Sequence, residues 1–254
     1  MGQSLIAERH GRILRLTLNR PQKRNALDAE LCASLSDAVE SAAADPKIGA
    51  ILLAAAGPTF SAGMDLAEAQ SAPPDGLAEI HERLFTLGSR IAKPLVGLVT
   101  GAALGGGVGL VANCHIAVAS EEARFGLTEI RLGLWPFLIF RSVANAVGER
   151  RALELALTGR VFDAREALDL GLVHKIAQKP EEAAIHLAGQ LADSSPAAIR
   201  LGLQFVNQSR GTNLAEGLAV GRRLRAEVLA GEDFAEGLVA FRDKRTPRWP
   251  SILE

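Results

Sequence analysis

Hydrophobic and polar residues along this chain follow two periodicities, one typical of strands and one typical of helices. Ile13–Leu18 alternates apolar and polar side chains, and residues 48–56 form a continuous apolar run, so both are predicted strands. Between them, residues 29–44 repeat apolar side chains at helical spacing behind Asp28, which is a favourable N-cap residue. The pattern therefore predicts a strand, a helix and a second strand in succession.

The same alternation continues along the chain. It predicts a loop over residues 57–67, a helix near 77–91, a buried strand over 94–99, a helix over 107–113 and a strand over 116–119. Strands that alternate with helices are typical of α/β proteins. From residue 150 onward the chain is predicted to be mainly helical, and residues 196–243 hold little strand signal. We therefore expect a core over residues 1–195 and a C-terminal helical region over 196–254.

Residues 101–109 read GAALGGGVG and form the densest glycine run in the chain. Such a run leaves backbone N–H groups within reach of a ligand, because no Cβ atom holds the ligand away. A Walker phosphate loop needs a Lys-Ser/Thr pair after the last glycine, whereas Leu110 and Val111 follow here. The dinucleotide fingerprint also fits poorly, because no ribose-binding acid follows in a second strand pattern. Contact between backbone and substrate, or close helix packing, remains as the explanation.

Composition and charge narrow the class of protein. The chain has 254 residues, of which 48% are hydrophobic, enough for one large core. The net charge of −1 gives no overall field that would attract nucleic acid or an anionic membrane, and neither is an expected partner. Cys32 and Cys114 match no metal spacing or disulfide framework and are expected to be buried apolar residues. With no signal-peptide core near the N-terminus, a cytoplasmic location is expected.

Several motifs occur together in one order, and their conjunction is specific. They are residues 19–27, 60–65, 101–109, 125–134 and 157–173, followed by Phe241 and Lys244 near the C-terminus. In this order they resemble the motifs of the crotonase superfamily, also called the enoyl-CoA hydratase/isomerase family, nearly from end to end. The resemblance implies an α/β fold of the crotonase (ClpP-like) type, with repeated ββα units and a C-terminal helical region that packs at a trimer interface. Trimers of this family are commonly doubled into hexamers.

The resemblance also implies a reaction type and its central residues. Members bind an acyl-CoA thioester, so coenzyme A belongs to the substrate and no separate cofactor is expected. They stabilise an enolate-like intermediate with two backbone N–H groups, which by position belong to Met64 and Gly106 here. Glu129 occupies the position of the catalytic acid/base. Without the resemblance, Glu129 would be read as a solvated charge or an ion-pair partner of Arg131.

Further residues are assigned to substrate binding by the same resemblance. Backbone contacts to the adenine of CoA are expected around Arg24 and Ala26. Lys244 is expected to bind the phosphates of CoA and lies three residues after Phe241. Ala62, Asp65 and Gly105 lie in the two oxyanion segments, with Asp65 expected mainly to stabilise its loop. Trp135, Phe137 and Phe140 either narrow the acyl pocket or pack in the core. His115 is expected to be a structural histidine with satisfied ring nitrogens.

The acid/base question stays open at the level of sequence. Hydratases of this family usually carry two glutamates, but the first position here is Gly109, which leaves Glu129 as the single carboxylate. One carboxylate is sufficient for Δ3,Δ2-enoyl-CoA isomerisation. The surrounding segments also resemble branched-chain enoyl-CoA hydratases, some of which lack the first glutamate. A CoA-thioester-binding protein with little catalysis, and another crotonase chemistry such as thioester hydrolysis, are the alternatives.

Overall fold

The computed structural model describes residues 3–71, 73 and 76–253. Its strands are β1 (Leu5–His10), β2 (Ile13–Leu18), β3 (Ala50–Ala55), β4 (Thr59–Ser61), β5 (Leu95–Val99), β6 (Ala102–Leu104), β7 (Ile116–Ala119), β8 (Arg124–Gly126), β9 (Val161–Asp163) and β10 (Lys175–Ile176).

The helices fill the segments between strands and most of the C-terminal part. They are α1 (Ala29–Ala44), α2 (Leu66–Ser71), α3 (Ala78–Phe85), α4 (Leu87–Arg90), α5 (Gly106–Asn113), α6 (Phe137–Val147), α7 (Glu149–Thr158), α8 (Ala164–Leu170), α9 (Pro180–Ala192), α10 (Pro196–Ser209), α11 (Leu214–Ala230), α12 (Glu232–Arg242) and α13 (Pro250–Leu253). Short 3-10 turns cover Pro21–Lys23 and Glu129–Leu132.

The strands form two sheets. The larger has the order β1-β2-β3-β5-β7-β10, in which β1 pairs antiparallel with β2 and the remaining pairs are parallel. The smaller has the order β4-β6-β8-β9, with β4, β6 and β8 parallel and β9 antiparallel. Along the chain, β3, β5 and β7 of the large sheet are each followed by a strand of the small sheet and then by helix. This is the repeated ββα arrangement that the family resemblance implies.

The large sheet is covered on both faces, which explains why its central strands are continuously apolar. Along β3, Ile51 and Leu53 point into the main core, whereas Leu52 and Ala54 point to the opposite face. That second face packs against the small side chains of α9. They are Ala184, Ala188 and Ala192.

Several sequence predictions are confirmed residue by residue. β2 and β7 have their predicted bounds, and α1 spans the predicted residues 29–44. The Asp28 carboxylate accepts a hydrogen bond from the Leu31 N–H at 2.9 Å, so it is the N-cap of α1. Ser195 caps α10 in the same way, through the Ala198 N–H. The strands predicted over residues 48–56 and 94–99 are present in shorter form as β3 and β5.

Other predictions were wrong in detail. The loop predicted over residues 57–67 contains β4, and the glycine run contains β6, because a strand of three residues is too short to show alternation. β1 was not predicted, since four of its six residues are exposed at the sheet edge. The helix predicted near residues 77–91 is two helices that separate at Thr86, where Gly88 approaches the end of α5. A Cβ atom on Gly88 would lie 2.0 Å from the Asn113 carbonyl oxygen.

Within residues 3–71, 73 and 76–253, no helix combines the length and the hydrophobicity needed to cross a membrane.

Candidate active site

The site lies where three strands of the small sheet end. β4, β6 and β8 are parallel neighbours, so their carboxyl ends meet at one edge of the sheet. The segments that follow these strands are residues 62–64, 105–106 and 127–129. The three motifs that the sequence analysis singled out are therefore brought together by strand order.

The first segment presents the N–H group of Met64. Met64 forms an isolated parallel bridge with Leu27, in which Leu27 donates to the Gly63 carbonyl at 2.8 Å and accepts from the Asp65 N–H at 3.0 Å. Both hydrogen bonds use the neighbours of Met64. Among the described residues, the Met64 N–H consequently has no acceptor.

The second segment presents the N–H group of Gly106. Gly106 is the first residue of α5, so its N–H has no acceptor within the helix, and none of the other described residues supplies one. The preceding Gly105 has a φ of +50° and donates to the Gly126 carbonyl at 2.8 Å, which ties the turn to β8. A Cβ atom on Gly63 would lie 3.1 Å from the Gly106 nitrogen. The segments that present the N–H groups of Met64 and Gly106 therefore touch each other through glycine.

Glu129 brings a carboxylate to this point. It begins the 3-10 turn after β8, and its Oε1 would lie 3.0 Å from a Cβ atom placed on Gly105. Its Oε2 is buried and has no hydrogen-bond partner among the described residues. Burial raises the pKa of the Glu129 carboxyl above its ordinary value, opposed by a smaller effect from its own backbone N–H. Within the described residues Glu129 forms no ion pair with Arg131, so the alternative that Glu129 is an ion-pair partner of Arg131 does not hold.

A cavity of about 270 Å³ opens between these segments. Met64, Gly105, Gly106 and Glu129 all line it. The rest of its lining is mostly apolar and comprises Leu27, Ala62, Gly63, Leu66, His81, Phe85, Thr128, Leu132, Leu134, Trp135, Pro136, Phe137, Leu138 and Ile139. An apolar cavity with a few convergent polar groups is typical of a small-molecule site.

The aromatic residues after Glu129 divide between the two predicted roles. Trp135 and Phe137 line the cavity, and Phe137 is 78% exposed. Phe140 does not line it, because its ring packs against Trp135 with 5.7 Å between centroids and against the main core. Of the two roles that the sequence leaves open for Phe140, the structure therefore shows packing against the core.

The position of the missing carboxylate is filled by hydrocarbon. Gly109 is buried in α5, and a Cβ atom on it would lie 2.4 Å from Cγ2 of Ile139 and 3.1 Å from Cδ1 of Phe85. No other described acidic side chain lines the cavity besides Glu129. Glu121 and Glu122 are exposed, as expected for solvated loop charges.

The loop over residues 19–27 is held tightly against the first segment. The Arg24 carbonyl accepts from the Ala62 N–H at 2.9 Å, and the Ala26 carbonyl accepts from the Arg20 guanidinium at 2.5 Å. Asn25 is fully buried between these residues and donates to the carbonyls of Ala56 and Thr59. Sequence reasoning named Arg24 and Ala26 but missed this anchoring role of Asn25.

Asp65 stabilises the same loop. Its carboxylate accepts from Arg20 at 3.2 Å and from the Ala67 N–H at 3.2 Å, and Arg20 also pairs with Asp28 at 2.8 Å. Asp65 does not line the cavity. Its engagement with Arg20 agrees with the expectation that it holds its loop.

Phe241 and Lys244 lie apart from the cavity lining. Phe241 is 86% exposed near the end of α12, and Lys244 is exposed just after it with a φ of +53°. Neither residue contributes to the cavity of its own chain. The expected contacts of these residues with CoA stay predictions.

The remaining predictions for single residues are confirmed. Nδ1 of His115 accepts from the Leu95 N–H at 2.9 Å, and its Nε2 lies 2.9 Å from the Gly88 carbonyl oxygen, so both ring nitrogens are satisfied. Cys32 and Cys114 are buried, and burial raises the pKa of each thiol to about 12.

Two residues of the site were missed entirely. Ile139 fills the space beside Gly109, and His81 lines the cavity from α3. Neither belongs to a motif, because their roles arise only when α3 and α6 pack against the glycine run. The only sequence signal for His81 is that one histidine lies on the apolar face of the predicted helix near residues 77–91.

Comparison with known proteins decides the family. The model of the enoyl-CoA hydratase/isomerase family matches residues 8–251. The chain belongs to the enoyl-CoA hydratase/isomerase family. The 2,3-dehydroadipyl-CoA hydratase of Escherichia coli K12 is 38% identical over 249 residues, covering 96% of this chain and 97% of the relative. A Rhizobium meliloti protein named "Probable enoyl-CoA hydratase" is 39% identical and covers 96% of both chains.

Solved structures of family members have the same fold. An enoyl-CoA hydratase from Mycobacterium smegmatis superposes with a TM-score of 0.92 at 30% identity, covering 97% of this chain and 98% of the other. An enoyl-CoA hydratase from Bacillus anthracis gives a TM-score of 0.93 at 28% identity, covering 98% and 100%. The crotonase fold predicted from the motifs is thereby confirmed.

Proposed function

We propose that this member of the enoyl-CoA hydratase/isomerase family binds the thioester carbonyl oxygen of an enoyl-CoA between the N–H groups of Met64 and Gly106 and transfers a proton with Glu129. The observation that carries the proposal is the meeting of two unpaired backbone N–H groups and one unpaired carboxylate oxygen at a single apolar cavity.

The two N–H groups act where negative charge develops. Negative charge moves onto the thioester oxygen when a proton leaves an enoyl thioester. The same happens when a nucleophile adds to its double bond. Fixed backbone donors that point at this oxygen stabilise the transition state, by about 2.7–4 kcal/mol for a single donor in a studied enzyme. The N–H of Gly106 also belongs to the first residue of α5, so the helix dipole adds to the stabilisation.

Glu129 acts as the acid and base. Burial raises the pKa of its carboxyl, which brings the pKa closer to neutral pH. A carboxyl in that condition can accept a proton from one atom of the substrate and return it to another, while the two N–H groups stabilise the charge that forms in between. No donor among the described residues occupies Oε2, which leaves that oxygen free for the reacting proton.

Hydration is the first candidate for the overall reaction, because the E. coli relative with 38% identity is named as an enoyl-CoA-type hydratase. Isomerisation is the second candidate, and the hydrocarbon surroundings of Gly109 favour it, since isomerisation needs only one carboxylate. Both reactions use the same oxyanion site and the same glutamate. Neither requires a cofactor beyond the CoA of the substrate.

The substrate contacts follow the motifs. Ala62 and Trp135 line the acyl cavity beside Met64, whose side chain shapes it. The backbone around Arg24 and Ala26 is proposed to meet the adenine, and Lys244 with Phe241 the CoA of a neighbouring subunit.

We further propose a homotrimer, doubled or not into a hexamer. The C-terminal helices expose large apolar side chains that a subunit interface would cover. Examples are Leu214 at 80%, Leu218 at 55%, Leu238 at 56% and Phe241 at 86% exposure. Light scattering on the purified protein tests this assembly.

A paired assay tests the function. The purified protein is given trans-2-enoyl-CoA, for loss of the conjugated absorbance, and trans-3-enoyl-CoA, for its gain. Loss with 3-hydroxyacyl-CoA as product identifies a hydratase, and gain alone identifies an isomerase. Neither change over a range of acyl chains, with CoA thioesters still bound, would overturn the proposal in favour of a binding protein.

A further inference from the structure

His81 carries a buried nitrogen that no described residue satisfies. The residue lies on α3 and is only 6% exposed, and its Nε2 has no hydrogen-bond partner within residues 3–71, 73 and 76–253. Burying a polar atom without a partner costs about 1–3 kcal/mol, so such atoms are rare in folded proteins. Among the described residues only two other side-chain atoms share this condition, Oγ of Ser36 and Oε2 of Glu129.

Two of these three atoms belong to one cavity. His81 and Glu129 both line the cavity of about 270 Å³, and they are the only titratable side chains among its described lining residues. Ser36 is buried in α1 and does not line it. Two unpartnered side-chain atoms in a mostly apolar cavity can hold a small molecule with several hydrogen-bonding groups, and water is the smallest such molecule.

His81 is connected to the site through Phe85. Phe85 follows one helical turn later, with 6.1 Å between the two ring centroids. The Phe85 ring in turn lies beside the second oxyanion segment, since its Cζ would be 3.1 Å from a Cβ atom on Gly106. The face of α3 that carries His81 is therefore the face packed against the site.

We infer that His81 Nε2 and Glu129 Oε2 together hold the water molecule that adds to the enoyl thioester, so that His81 takes the place of the carboxylate that Gly109 lacks. The inference rests on the proposed function. It assigns His81 as a catalytic residue for hydration and gives it no part in isomerisation.

The step balances in atoms and electrons. The water oxygen forms a bond to the β-carbon, one O–H bond breaks, and its proton passes to Glu129. The π electrons of the C=C bond move towards the thioester as an enolate, and Glu129 returns the proton to the α-carbon. His81 accepts a hydrogen bond from the O–H that remains, which orients the water and involves no net proton transfer.

The charge state of His81 agrees with this role. Burial lowers the pKa of the imidazole, while the nearby charge of Glu68 opposes the shift. A neutral imidazole has one nitrogen with a free lone pair, which can accept a hydrogen bond from water.

The test compares two reactions in the same variants. His81→Phe keeps an aromatic ring at this position but removes both ring nitrogens, whereas His81→Gln retains a hydrogen-bonding group. We expect His81→Phe to lower hydration of trans-2-enoyl-CoA by about 10²-fold or more. Conversion of trans-3- to trans-2-enoyl-CoA, which needs Glu129 alone, should stay within a few-fold of wild type, and His81→Gln should recover part of the hydration rate.

Three outcomes would overturn the inference. They are hydration unchanged in His81→Phe, an equal loss of both reactions in both variants, and a wild-type protein that isomerises without hydrating. If His81→Phe fails to fold, the ratio of the two rates in His81→Gln decides. A wild-type protein that performs neither reaction would instead refute the proposed function itself, so the two failures are distinguishable.

Discussion

Cγ2 of Ile139 occupies the space that a side chain on Gly109 would need. A Cβ atom on Gly109 would lie 2.4 Å from this methyl group, well inside van der Waals contact. The helix of the glycine run and α6 are thus packed at a distance that only glycine permits. The absence of a carboxylate at residue 109 is therefore part of the packing, and adding one would require the cavity wall to be rebuilt.

Gly109→Ala is expected to destabilise the protein by about 1–3 kcal/mol, the usual cost of overpacking a core. The matched control is Gly202→Ala in α10, where no atom lies within 4 Å of the new Cβ. That control should be neutral or stabilising by about 0.5–1 kcal/mol, because alanine favours helix more than glycine. Urea unfolding of both variants measures the difference. Equal stability of the two variants would show that α5 and α6 are not packed as described.

Gly105→Ala is expected to lower the kcat of the folded enzyme as well as to destabilise the protein. Its φ of +50° and ψ of −119° lie outside the regions that alanine adopts readily, a strain of about 1–3 kcal/mol, and the new Cβ would also lie 3.0 Å from Oε1 of Glu129. A displacement of the carboxylate by about 1 Å costs on the order of 10²-fold in rate.

Gly11→Ala is the control for Gly105→Ala. Gly11 has a φ of +61° with no atom within 4 Å, so it experiences the strain alone. Thermal unfolding should show a loss of stability in both variants, whereas only Gly105→Ala should lose activity. A normal kcat in Gly105→Ala would refute the contact with Glu129.

Glu129→Gln is expected to be more stable than the wild type at neutral pH. The folded-state pKa of Glu129 is raised by burial, so folding favours its protonated form, and its contribution to stability is lost as the pH rises through the folded-state pKa. Glutamine stays neutral at every pH, so Glu129→Gln does not undergo this loss of stability. Each pKa unit of the shift corresponds to about 1.4 kcal/mol.

The difference in unfolding free energy between Glu129→Gln and wild type should therefore grow from acidic pH towards neutral and then level off. Glu121→Gln, at an exposed position, is the control substitution. Denaturant unfolding at several pH values measures both. A difference that shrinks with rising pH would mean that the carboxylate is stabilised by a partner.

The two thiols are expected to be unreactive in the native protein. Cys32 and Cys114 are buried, and the pKa of each is raised to about 12, so neither supplies thiolate near neutral pH. A thiol reagent should modify neither cysteine in buffer and both in denaturant. Rapid modification of the native protein would contradict the burial of the thiols.

Sequence reasoning predicted those parts of the fold whose signals are local. α1 shows helical spacing over four turns and has a capping aspartate, and β2 alternates over six residues. β4 and β6 have three residues each and were missed, although the segments with Met64 and Gly106 follow their carboxyl ends. Their pairing depends on neighbouring strands and leaves no periodic trace in the sequence.

The residues of the site also divide into those with a local sequence signal and those without one. Met64, Gly106 and Glu129 lie in motifs that resemble those of the family, and the structure brings all three to one cavity. His81 and Ile139 are recognised only from three-dimensional contacts, since one is defined by a nitrogen without a partner and the other by a methyl group against a glycine.

The central claim is that Glu129 transfers the proton while other groups bind the thioester, and kcat and Kd of Glu129→Gln test it most directly. Glutamine has nearly the shape of glutamate but cannot serve as a base. With an enoyl-CoA that the wild type turns over, kcat should fall by about 10²–10⁴-fold, and the Kd for the CoA thioester should change only a few-fold. A variant that retains the wild-type kcat would contradict the account.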